Sequence, residues 1–195
     1  IQNDKKFTTG TSMDLKEYAR LIKLTAKNYH FKKIGDIKQS EIKMMLDDGI
    51  KICFLRHDID FSPENALSMA ETEAQHGIMS TYAVLLGGDM YNPFERKTKR
   101  CLKNILKLGH EVGLHFDPTL HDIKSENQLD RAIIKEKKAL EDLVCREVKM
   151  FAFHNTTPFS LSCRKNEYGG CINAYSDFFH NEVEYTSDSN GYWRF

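Results

Sequence analysis

The sequence predicts an α/β protein whose parallel strands are joined by helical crossovers, and three observations carry that expectation. Short apolar runs alternate with amphipathic helical stretches between residues 50 and 153, in the order strand, helix, strand, helix, strand, helix, strand. Such alternation is the pattern of right-handed βαβ units covered by helices. Ionisable residues stand at the ends of those runs: Asp58 and Asp60 after the first, His115 and Asp117 at the third, His154 after the fourth. Parallel α/β proteins gather function at the carboxyl ends of their strands. Finally, 195 residues suffice for one domain with a sizeable core.

A first helix is expected from Ser12, as N-cap, to Tyr29, because Leu15, Tyr18, Ala19, Leu21, Ile22 and Leu24 recur at helical spacing. A second covers Gln39–Leu46 and is closed by Asp47-Asp48-Gly49. Ile50–Leu55 reads as the first strand of the alternating series. Ser62-Pro63-Glu64-Asn65 opens a helix with proline at its first position, and Gly77 stops it. Met79–Leu86 is a strand ended by Gly87-Gly88, and Asn92-Pro93 opens a helix to Leu108 with Gly109 as its stop. Glu111–Phe116 is the third strand, Asn127–Val144 the third crossover helix and Val148–Phe153 the fourth strand. A long polar loop is expected over Asn155–Asn173, and a last strand over Val183–Thr186, with Asp188 just beyond it. Residues 1–12 read as a flexible lead-in to a single domain over 13–195, with N-terminal helices in 13–48.

Lys+Arg and Asp+Glu balance at 28 each, so no global field favours nucleic acid or an anionic membrane. The basic run Arg96–Arg100 reads as a solvated helix face. Five cysteines follow no regular spacing. Cys163 and Cys171 bracket a loop and could pair, but reduced thiols of a cytoplasmic protein are the expectation. No apolar run is long enough to span a bilayer, and no basic-then-apolar signal segment is read.

The run Arg56-His57-Asp58-Ile59-Asp60 places two carboxylates at i and i+2, on one face of an extended chain. Burying both is costly unless something cationic or catalytic compensates them. One can bind a metal while the other acts as a base, and Arg56 on the same face would hold an aspartate ionised. In Gly109–Pro118, Glu111, Gly113, His115 and Asp117 share one strand face, and Val112, Leu114 and Phe116 the other. A zinc-protease helix is excluded, because His110 and His115 are five apart and would diverge by roughly 140° on a helix. An aspartate and one or two histidines with open positions suit a catalytic divalent site, zinc being the commonest occupant. Asp60 and His115 are the expected ligands. The third is open between His121, Asp117 and His154.

Arg-His-Asp-Ile-Asp followed by Gly-His-Glu-Val-Gly-Leu-His resembles the polysaccharide deacetylase (NodB-homology) family over about residues 50–195. Within it, the chain is most similar to the WbmS-like sugar deacetylases of O-antigen and capsule gene clusters. The resemblance implies a distorted (β/α) barrel, holding a divalent metal, that removes N- or O-acetyl groups from sugars. It makes Asp58 the base, Asp60 the metal aspartate and His115 the first metal histidine. Arg56 and His154 join the catalytic groups. Asn155 lies where the family has a groove arginine, and Asp188 and Trp193 match its late Asp and Trp segment, so these three are expected at the substrate. Thr119 stands where the family places its second metal histidine, and its late Leu-x-His has no counterpart up to Phe195. The expected function is metal-dependent deacetylation of a sugar or surface-polysaccharide precursor. The alternatives are a non-catalytic glycan-binding or scaffolding domain, or hydrolysis of another amide or ester.

Overall fold

The computed structural model describes residues 14–187. The lead-in, the Ser12 cap, Asp188 and Trp193 lie outside them. In chain order the elements are α1 (Leu15–Thr25), β1 (His30–Phe31), a 3-10 turn (Ile34–Asp36), α2 (Gln39–Asp47), β2 (Ile52–Cys53), β3 (Arg56–Ile59) and α3 (Pro63–Gln75). Then come β4 (Thr81–Leu85), α4 (Arg96–Lys107), β5 (Glu111–Phe116), a second 3-10 turn (Pro118–Leu120) and α5 (Glu126–Val144). The last are β6 (Met150–Phe153), α6 (Pro158–Ser162), β7 (Glu167–Tyr168), β8 (Cys171–Asn173) and α7 (Asp177–Glu182).

Local chemistry sets most helix ends. Asp14 caps α1 by accepting from the Glu17 amide at 2.8 Å, and Ser62 caps α3 ahead of Pro63 by accepting from Asn65. Gly77 and Gly109, just past α3 and α4, take positive φ of 70° and 97°, a conformation glycine adopts without a Cβ penalty. At Asn92-Pro93 the expected helix start gives way to a turn, in which Asn92 Oδ1 accepts from the Phe94 amide, and α4 begins only at Arg96.

The expected strand Ile50–Leu55 is divided. Ile52–Cys53 pairs in parallel with β1, while the strand that enters the main sheet is Arg56–Ile59, beside β4. Phe54 and Leu55 between them serve two cores: Phe54 packs with the Ile34–Met150 cluster and Leu55 with the Tyr18–Ile22–Ile78 cluster. An apolar run divided between two cores carries no period that would reveal the break. The expected loop 155–173 contains α6, β7 and β8, each too short for a period, and Val183–Thr186 is irregular. All five cysteines are free.

The main sheet runs β3-β4-β5-β6-β8-β7, parallel except for the β7–β8 hairpin. This is the expected α/β class with crossover helices. The expected barrel is not closed by strand pairing among the described residues, because β3 and β7 end the strand order. Side chains partly cover the inner face instead. Ile34, Met150 and Ala152 pack with Phe54, Tyr175 and Phe179, and the Phe54 and Phe179 rings meet edge to face at 5.7 Å.

Strand parity sorts the two faces. Parallel partners such as Asp58–Ala83, Ala83–Gly113 and His115–Ala152 point to one side, making an inner floor of small residues with acid and imidazole at its end. The opposite face buries Tyr82, Val84, Leu114, Phe116, Phe151 and Phe153 under α3, α4 and α5. No helix among the described residues is long and apolar enough to cross a membrane.

Candidate metal centre

Asp60 leaves the end of β3, His115 lies near the end of β5 and His154 follows β6. The His154 amide donates to the Phe116 carbonyl at 2.8 Å, which carries the β5–β6 ladder one step further and brings His154 up beside His115. His154 Nδ1 lies 3.0 Å from His115 Nε2. Asp60 Oδ1 is 3.3 Å from His115 Nε2 and 3.4 Å from His154 Nδ1. One ligand atom from each of the three falls within 4.8 Å of the others.

The donor chemistry fits a cation. His115 Nδ1 faces the Ala152 carbonyl at 3.3 Å. A carbonyl only accepts, so Nδ1 carries the proton and Nε2 turns its lone pair toward Asp60 and His154. Asp60 Oδ1 is buried and accepts no hydrogen bond among the described residues. A buried carboxylate oxygen without a donor is costly unless a positive charge satisfies it. A proton given from the His115 ring, like an ion in its place, draws the Asp60 carboxyl below the ordinary aspartate range against the effect of burial.

Asp58 stands beside this group. The Arg56 guanidinium forks onto it, Nε to Oδ1 at 2.9 Å and Nη2 to Oδ2 at 3.0 Å, the rigid bidentate geometry that fixes a carboxylate's orientation. Asp58 Oδ2 lies 3.9 Å from His115 Nε2. The Tyr175 ring lies 5.8 Å from the guanidinium.

The other expected ligands lie elsewhere. His121 Nε2 is 2.6 Å from Glu136 Oε1 of α5, and its ring stacks on Phe116 at 5.1 Å, on the helix-covered face. Asp117 accepts from the amide and hydroxyl of Thr119 at 2.8 and 2.6 Å, and from Asn155 Nδ2 at 2.8 Å. Thr119 therefore spends its hydroxyl on the turn, and Asn155 is held at the mouth by its amide nitrogen. Tyr91 went unread in the sequence: its hydroxyl donates to the Ile59 carbonyl at 2.9 Å and accepts from the Leu85 amide at 3.0 Å, tying the ends of β3 and β4 together. In the sequence its neighbours Asn92-Pro93 signal only the start of a helix.

No family model and no curated protein matches the chain. Among solved structures, its fold is similar to that of the Streptococcus pyogenes deacetylase PplD, determined in complex with acetate. The TM-score is 0.51 at 15% identity, over 78% of this chain and 74% of that one. IcaB from Ammonifex degensii aligns with a TM-score of 0.48 at 16% identity, over 77% and 73%. At such identities the likeness is one of fold.

Proposed function

We propose that this chain is a zinc-dependent hydrolase that removes an acetyl group from a sugar or surface-glycan precursor. The observation that carries the reading is the unsatisfied Asp60 Oδ1 facing two imidazole nitrogens beside an arginine-clamped second aspartate. The similarity of fold to a deacetylase solved with acetate supports the choice of substrate. Asp60, His115 and His154 would hold the ion, His154 taking the place left by Thr119. When bound, a divalent ion polarises the acetyl carbonyl and makes water a better nucleophile at neutral pH. Asp58, oriented by Arg56, takes a proton from the attacking water. Asn155 orients a hydroxyl or amide of the sugar.

The test is acetate release from N- and O-acetylated sugars by the zinc-loaded protein. Turnover should fall by at least about a hundredfold in Asp58→Asn, the scale of a general base, while one zinc stays bound. Full activity in Asp58→Asn would remove the assigned base. Sugar binding without acetate release would favour the glycan-binding alternative.

A further inference from the structure

Behind the strand that carries both aspartates lies a carboxylate that the proposed chemistry does not use. Glu73 of α3 is fully buried, and four side chains converge on it. Ser80 Oγ donates to Oε2 at 2.5 Å and Tyr82 Oη to Oε2 at 2.9 Å. His57 Nε2 lies 2.6 Å from Oε1, and the Tyr18 hydroxyl donates to that same oxygen. The donors come from α1, β3, the approach to β4, and β4 itself. His110 completes the surroundings as a neutral ring: its Nδ1 accepts from the Ser80 amide at 3.1 Å, and its Nε2 faces the Ala70 carbonyl at 2.9 Å. Hydrophobic residues of similar volume would stabilise such a site as well or better. A fully satisfied buried network instead selects one arrangement of the elements it joins.

The arrangement it selects is that of β3. This strand has four residues, ends the strand order among the described residues and is laddered on one side only, to β4. His57 sits between Arg56 and Asp58 and, by parity, points to the opposite face. It is packed beside the Tyr82 ring at 4.9 Å and the Tyr18 ring at 6.0 Å. Turning or sliding β3 would have to break the His57–Glu73 contact, and would carry Asp58 and Asp60 away from His115 and His154.

We infer that Glu73 and His57 form a positioning couple that fixes β3, and with it Asp58 and Asp60, against the histidines of the metal centre. The inference rests on the zinc-site reading above. Its test is zinc affinity by chelator competition in wild type, Glu73→Gln, His57→Phe and the double variant, with Ile133→Val as a core control of reduced stability. Ile133 is a fully buried residue of α5. Each single variant should lose about tenfold in zinc affinity, the scale of supporting contacts around metal ligands. The double variant should lose no more than either alone, and the Ile133 control nothing. Should Glu73→Gln fail to fold, Tyr18→Phe decides in its place, because it removes one donor and leaves the carboxylate; about threefold weaker zinc binding is expected. Wild-type zinc affinity in folded Glu73 and His57 variants, or in Tyr18→Phe, would overturn the inference alone. Absence of zinc binding in the wild type would overturn it together with the metal centre.

Discussion

Asp60 and Glu111 are carboxylates on the same inner face, and their surroundings drive them in opposite directions. His115 and His154 hold Asp60 in its anionic form, whereas burial pushes Glu111 above the ordinary glutamate range despite its bonds to the Gly35 amide and the Thr81 hydroxyl. A carboxyl raised in the folded state favours the native structure most when protonated. Its contribution is complete below the ordinary glutamate range and is lost as pH rises through the folded value. Acidifying from neutral pH down to the ordinary glutamate range should therefore raise the wild-type melting temperature relative to Glu111→Gln, and a pH-independent gap between the two would contradict the assignment. Residue parity was legible: the i, i+2 rule placed Arg56, Asp58 and Asp60 together and faced His115 the same way. Which histidine completes the group was not. His121 is nearer to His115 in sequence, but the Phe116 ring and Glu136 hold it on the helix side, contacts that sequence separation does not encode.

Elements explain residues whose role looked merely permissive. In the sequence Gly113 reads as one member of the polar strand face. In the sheet, a Cβ there would lie 2.0 Å from Met150 Sδ and 3.2 Å from the Met150 carbonyl oxygen, so the close approach of β5 and β6 requires its absence. That approach brings His115 to His154. Gly113→Ala should cost about 1–3 kcal/mol, as overpacking does, and should weaken zinc binding, because the strands bearing the two histidines part. Denaturant unfolding and chelator competition would show both effects; unchanged zinc affinity would mean that the histidines are placed independently of this contact. Glu111–Phe116 could be read to the residue because its alternation is complete. The division of residues 50–59 was hidden, since neighbouring apolar side chains enter different cores.

Across the molecule, crossover alternation predicted the parallel sheet and its helical cover, while the closed barrel came from the resemblance and not from any strand pattern. The described sheet ends at β3 and β7, and aromatic contacts across its inner face do part of the work of closure. Phe54 and Phe179 make one such contact, Arg56 and Tyr175 another. Phe179→Ala should remove about 0.5–1.5 kcal/mol of ring pairing beyond the buried area it loses. A Phe54→Ala, Phe179→Ala double-mutant cycle should show that coupling in chemical denaturation. Strict additivity would mean that the two rings do not act as a seam.

The central claim is that Asp60, His115 and His154 together hold one divalent ion. Zinc titration by calorimetry, on wild type, His154→Ala and His121→Ala, tests it most directly. One zinc per chain is predicted for wild type and for His121→Ala, with binding lost or weakened by at least about a hundredfold in His154→Ala, since a ligand costs at least as much as the supporting contacts around it. Undiminished binding in His154→Ala, or its loss in His121→Ala, would contradict the account.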